Sequence, residues 1–178
     1  VQEHLKRVGL EGSVEAFPDF PSVYRVQYKV KSEPCVSIII PGMNHRDDLK
    51  RCLKSIFSKS TYQNFELLIV ENNSTGKEVF EQHEILRKEK VRILIWEGAF
   101  NHSAINNYAV TFAEGEYLLF LDNDTEVINE NWIEEMLMYA QRRDIGAVGA
   151  KLYYSNDTIQ HAGVVLGITG ITGHVHRD

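Results

Sequence analysis

The longest apolar runs of this 178-residue chain, such as Tyr117-Leu118-Leu119-Phe120-Leu121, fall far short of the ~20 residues a membrane-spanning helix needs. The N-terminus, Val1-Gln2-Glu3-His4-Leu5-Lys6-Arg7, lacks the apolar centre of a secretion signal, and the chain does not begin with Met. It is expected to be a piece of something longer. Basic charge is also short: 19 Lys and Arg against 25 Asp and Glu leave a net charge of −6 and a pI near 5.7. That balance excludes a nucleic-acid groove as the main surface. With only Cys35 and Cys52, neither a disulfide framework nor a cysteine metal cluster is available. Both read as reduced, packed thiols, Cys35 before a strand and Cys52 on a helix stripe. The phosphate-cradling glycine motifs are missing as well: no G-x-G-x-x-G, no P-loop and no G-x-S-x-G elbow.

What is present is one domain's worth of core, at 43% hydrophobic residues. Residues 1–34 are punctuated by Gly9, Gly12, Pro18, Pro21 and Pro34, and read as a lead-in or linker in which only Val23 to Val30 could pair as an edge strand. Residues 35–178 alternate strand and helix. Strands are predicted at Val36–Ile40, Phe65–Val70, Val91–Trp96 and Tyr117–Leu121, with later ones at Gly146–Ala150 and Val164–Ile168. Between them, Asn44 caps a helix with its stripe at Leu49, Cys52, Leu53, Ile56 and Phe57, and a charged helix spans about residues 77 to 89. Ser103 caps a third helix carrying Ile105, Tyr108, Ala109, Phe112 and Ala113, ended by Gly115. A fourth carries Trp132, Ile133, Met136, Leu137 and Ala140. This is α/β alternation with right-handed crossovers and a mostly parallel, Rossmann-like sheet.

Ligands of such a sheet sit outside the carboxyl ends of its strands. That selects Pro41 to Arg46, Glu71 to Ser74, Trp96 to Ser103, and Asp122-Asn123-Asp124. Two carboxylates one residue apart at the end of an apolar strand suit a hard divalent metal carrying phosphate oxygens. Asp and Asn are also ordinary turn residues, so the motif alone leaves a plain loop open. Glu71 could accept from a base imide or a ribose hydroxyl, or be a solvated loop acid. Trp96 and Phe100 could stack on a base or sugar, or pack into the core.

The ordered set Val36-Ser37-Ile38-Ile39-Ile40-Pro41, Leu49-x-x-Cys52-Leu53-x-Ser55-Ile56, Leu68-Ile69-Val70-Glu71-Asn72-Asn73-Ser74, Asn106-Asn107 and Gly115 to Asp124 resembles family 2 glycosyltransferases with the GT-A fold. Tyr24-Arg25-Val26, Phe100 to Asn107 and Gln160 to Gly167 are similar to the bacterial branch that builds O-antigen or rhamnan-type polysaccharide. The resemblance implies a nucleoside diphosphate-sugar donor, UDP or dTDP, and inverting transfer to a saccharide or lipid-linked acceptor. It implies donor contacts from Pro41, Asn44, Glu71, Asn73, Asn101, Asn107, Asp122 and Asn123. Mn²⁺ or Mg²⁺ would sit on Asp124, with Asp122 secondary and His161 a lesser candidate beside the surface role expected of it, His174 and His176. It also implies a cytoplasmic protein that reaches the inner membrane face only peripherally.

Three departures stand out. Gly42 replaces the commoner hydroxyl residue after Pro41, and Asn106 stands where many relatives have Arg. The family's general base, an Asp in a Glu-Asp pair, has no match, because no Glu-Asp pair occurs in these residues. No catalytic base is therefore assigned here; it is expected beyond Asp178 with the acceptor half, and the 178 residues alone are expected to turn over little. The competing classes are a sugar nucleotidyltransferase and a non-catalytic nucleotide- or glycan-binding domain. The first is disfavoured because Pro41-Gly42-Met43-Asn44 is no glycine-rich basic loop.

Overall fold

The computed structural model describes residues 1–42, 46–72, 90–167 and 172–174. They form α1 (Gln2–Arg7), β1 (Gly12–Ala16), β2 (Tyr24–Tyr28), β3 (Val36–Gly42), α2 (Arg46–Lys59), β4 (Phe65–Asn72) and β5 (Val91–Trp96). Then come α3 (His102–Val110), β6 (Tyr117–Phe120), α4 (Trp132–Ala140), β7 (Leu152–Tyr153), β8 (Ile159–His161), β9 (Val164–Leu166) and β10 (Thr172–His174). The helices expected to start at Asn44 and to span 77 to 89 have their caps or whole length outside the described residues. The chain divides into two compact units, residues 31–133 and residues 1–30 with 134–178.

Residues 31–133 hold a four-stranded parallel sheet in the order β5-β4-β3-β6. The two central strands are almost continuously buried, as parallel strands covered on both faces must be, and their β-branched and leucine side chains fit that environment. On one face Ile39, Leu68 and Val70 pack with Ile105 and Ala109 of α3, and Leu94, Trp96, Tyr108, Val110 and Ala113 extend the cluster. By alternation Ile38, Ile40, Leu67 and Ile69 point to the other face and are equally buried. Leu49, Cys52, Leu53 and Ile56 of the α2 stripe are buried too, as the helical spacing requires.

Two expectations are corrected in this sheet. Tyr117–Leu121 is not a buried strand: among the described residues β6 pairs only with β3, and Leu118 and Phe120 are 42% and 54% exposed. An apolar run of that length cannot announce that one of its faces stays open. Ser103 does not cap α3. Asn101 does, in an extended conformation, with Oδ1 accepting from Ala104 N–H at 3.0 Å, and Ser103 sits inside the first turn.

The amino ends of the strands are tied by a polar network. Ser37 Oγ donates to Glu66 Oε1 (2.5 Å) and accepts from Gly115 N–H (2.8 Å). Glu114 N–H also donates to Glu66, and Arg92 bridges Glu66, Glu114 and the Phe112 carbonyl. Gly115 fits here because a Cβ would lie 2.6 Å from both Ser37 N and Oγ.

In the other unit, β1 and β2 form an antiparallel hairpin from Gly12↔Tyr28 to Ala16↔Tyr24. The expected edge strand thus pairs within its own two-stranded sheet, and β1 went unread because its glycine and charged residues mask the alternation. Arg25 pairs with Glu135 at 2.6 Å, Tyr139 Oη donates to the Val26 carbonyl, and Tyr28 meets the Tyr139 ring edge-on. Gly146–Ala150 forms no strand, since two glycines and a mostly exposed backbone leave it unpaired. The next expected strand covers only Val164–Leu166 and ends at Gly167, φ +88°; Ile168 lies outside the described residues.

Candidate donor-nucleotide site

All four strands of the sheet run parallel, so Gly42, Asn72, Trp96 and Phe120 end on one rim. The strand order reverses at β3, with β4 and β5 on one side and β6 on the other. Such a switch point leaves a crevice above the strand ends. Asp122-Asn123-Asp124 follows β6 at that place, its strand pairing continued by Leu121 N–H on the Ile39 carbonyl at 3.0 Å. The segment is also a turn, closed by Thr125 N–H on the Asp122 carbonyl. The loop and the carboxylate-pair readings are therefore compatible: the turn is what presents Asp122 and Asp124 outward, and both are exposed.

Glu71 lies directly opposite Gly42 in the β3–β4 register and is only 5% exposed. A Cβ at residue 42 would lie 2.9 Å from Glu71 Oε1 and 3.1 Å from the Val70 carbonyl oxygen. The missing side chain thus leaves the space in which the Glu71 carboxylate sits. Pro41 is half-buried one step earlier on the same strand. Beneath the turn, Cys52 Sγ approaches the Asp122 carbonyl at 4.0 Å. Burial first, then Asp124 and Glu126, push its thiol up to about 12, which makes it a packing group rather than a nucleophile.

The third loop is shaped by Asn72, which donates from Nδ2 to the Trp96 (3.2 Å) and Gly98 (2.9 Å) carbonyls. Trp96 donates its indole N–H to the Ala99 carbonyl and packs on Tyr108 at 5.4 Å, so its ring belongs to the core side. Phe100 is 52% exposed. Asn101 spends its side-chain oxygen on the α3 cap, and Asn107 is exposed on that helix. Asn44 and Asn73 lie outside the described residues, as do the side chains of His174 and His176. His161 is on β8, in the other unit. Sequence reasoning missed Asn72, only 6% exposed, and His102, whose Nε2 lies 3.7 Å from Asp122 Oδ1. Their signal was present, an Asn next to the strand-end acid and a His in a helix's first turn, but neither residue type announces its partner.

Among the described residues no three His, Cys, Asp or Glu side chains converge as a closed metal cage. An ion shared with phosphate needs only one or two protein carboxylates, and the donor set of Asp122 and Asp124 suits a hard cation.

The parallel sheet with its rim of loops is the GT-A nucleotide-sugar fold. A mannosyltransferase from Pyrobaculum calidifontis, solved in complex with GDP-Man and Mn²⁺, superposes with a TM-score of 0.59 at 19% identity, over 71% of this chain and 38% of its own. The TarS protein of S. aureus, residues 1–349, does so at 0.52, with 21% identity over 66% of this chain and 38% of that one. The glycosyl transferase family 2 model matches residues 37–167, and the chain belongs to that family. It is 44% identical over 98% of its length to the O-antigen biosynthesis protein RfbC of Myxococcus xanthus, covering 14% of that protein. It is 30% identical over 68% of its length to the glycosyltransferase GlyG of Streptococcus pneumoniae, covering 40% of it. The chain therefore spans less than half the length of these relatives. No helix among the described residues is long and apolar enough to cross a membrane.

Proposed function

We propose that this chain is the donor-binding part of a metal-dependent, inverting glycosyltransferase. It takes a sugar from a UDP- or dTDP-sugar to a growing cell-surface polysaccharide or a lipid-linked acceptor at the cytoplasmic side of the membrane. The observation that carries this reading is the placement of buried Glu71 and the exposed Asp122–Asp124 turn on one rim, at the switch in strand order. The name of the Myxococcus relative supports the polysaccharide acceptor, and the ligands of the Pyrobaculum structure support a metal with a nucleoside diphosphate.

Glu71 accepts from the base or ribose, and Pro41 borders the nucleotide. Asp122 faces the ribose and phosphates. Asp124, with Asp122, would hold Mn²⁺ or Mg²⁺, which when bound stabilises the charge of the departing diphosphate. In the transfer, the acceptor hydroxyl oxygen bonds to the anomeric carbon from the face opposite the leaving group. The bond from that carbon to the β-phosphate oxygen breaks, its electron pair leaves with the nucleoside diphosphate, and the acceptor proton passes to a general base.

Calorimetry with UDP, dTDP and GDP, with and without Mn²⁺, tests the reading. At least one should bind only with the metal, and Asp124→Asn should weaken it roughly tenfold or more, the worth of a lost charge-assisted contact. Absence of metal-dependent binding to all three would overturn the reading.

A further inference from the structure

The first turn of α3 carries an imidazole that the donor site as described does not use. His102 and Asp122 are both exposed, and their 3.7 Å separation is too long for a hydrogen bond, so the ring N–H is not spent on that carboxylate. Arg51, which reaches Glu126 in the loop after β6 at 3.3 Å, is already held by Asp48. One turn beyond His102, Asn106 is 8% exposed, and its Nδ2 lies 3.3 Å from His102 Nδ1 and 3.4 Å from Nε2. The two nitrogens of a neutral imidazole, one an acceptor and one an N–H donor, point apart in the ring plane, so a side-chain nitrogen about equally far from both engages at most one of them. Asn106 Oδ1 is buried with no hydrogen-bond partner, and exchanging the amide's oxygen and nitrogen would move that orphan rather than remove it. The His102 ring thus keeps hydrogen-bonding capacity beside Asp122, at a helix end whose dipole favours anions.

We infer that His102 is a diphosphate-contacting residue, its ring N–H donating to the terminal phosphate of the nucleotide beside Asp122 while Asn106 sets the ring's orientation. This rests on the donor-site reading above, in which Glu71 marks the base end and Asp122 the phosphate end. His102 supplies a hydrogen-bond donor beside the carboxylates of the Asp122–Asp124 turn, where a phosphate would otherwise meet like charge. An exposed first-turn side chain can do so without disturbing the core.

The test compares UDP, dTDP and GDP with UMP, dTMP and GMP, each with Mn²⁺, on the wild type, His102→Ala, His102→Gln and the control His4→Gln. His102→Ala should keep its melting temperature and lose roughly ten- to a hundredfold in diphosphate affinity while changing the monophosphate little. The Gln variant should regain part of the loss and H4Q should match the wild type. The His102 ring resonance should shift with the diphosphate and not with the monophosphate. Equal diphosphate affinity in H102A and wild type overturns this inference and leaves the donor site standing. An equal loss for both nucleotide classes also overturns it, placing His102's effect on Asp122 instead. A wild type that binds no nucleotide removes the donor-site reading itself, and this inference with it.

Discussion

Gly42 and Glu71 show how much one hydrogen atom decides. Residue 42 has no side chain, and the Glu71 carboxylate occupies the space a Cβ would need, 2.9 Å from it. Gly42→Val should therefore displace Glu71, because the other close neighbour, the Val70 carbonyl at 3.1 Å, is strand backbone and cannot retreat. The expected outcome is a stability loss of about 1–3 kcal/mol in urea melts, typical of overpacking, with weaker nucleotide binding by calorimetry. Cys52 gives a second residue-scale expectation. With its thiol pushed up to about 12, it should resist disulfide reagents at pH 8 until the protein is unfolded in urea, whereupon both cysteines react. The sequence placed Cys52 on a buried stripe correctly, since helical spacing determines that. It could not show that Gly42 faces Glu71, because that pairing depends on strand register across about thirty residues.

Among the elements, the strands were the most legible part. Val36–Ile40, Phe65–Val70 and Val91–Trp96 are compact, mostly β-branched or aliphatic runs; the first two became β3 and β4 with two residues added to each, and the third is β5 as expected. Their connection at the amino ends was not legible, because Glu66, Arg92 and Glu114 are unremarkable charges in a sequence. Burial works against ionising Glu66, yet the Ser37 hydroxyl, the Glu114 N–H and Arg92 outweigh it and hold its pKa below the ordinary 4.5. A carboxylate with a lowered native pKa binds its proton more readily in the unfolded chain. Its stabilisation is therefore complete above about pH 4.5 and is lost as pH falls through the lower native value. Glu66→Gln should cost about 1–3 kcal/mol near neutral pH, with the difference from wild type shrinking on acidification below about pH 4.5. Thermal melts from pH 7 to 3 would show it, and a constant difference would mean that the Glu66 charge is not what joins these strands.

At the scale of the whole molecule, the parallel sheet of residues 31–133 holds most of the fully buried side chains, among them Ile38, Ile39, Ile40, Leu67, Leu68 and Ile69. Amide exchange should accordingly be slowest in β3 and β4 and faster in the short hairpins β7–β8 and β9–β10. Comparable protection in both would contradict a core centred on the sheet. The α/β class was readable because its period repeats along the chain. The division into two units was not, since residues 1–30 join residues 134–178 through contacts that no local pattern encodes. The candidate site was legible in part: its strand-end acids stand out in the sequence, whereas the contacts of Asn72 and His102 and the Asn101 cap come only from neighbours distant in sequence or from backbone geometry. The central claim is that Asp124 holds a divalent metal on a nucleoside diphosphate, and anomalous diffraction from crystals grown with UDP or dTDP and Mn²⁺ measures it most directly. The account predicts a manganese peak about 2.0–2.3 Å from an Asp124 carboxylate oxygen and bridged to the diphosphate. A bound nucleotide with no metal at Asp124, or manganese lodged elsewhere on the protein, would contradict it.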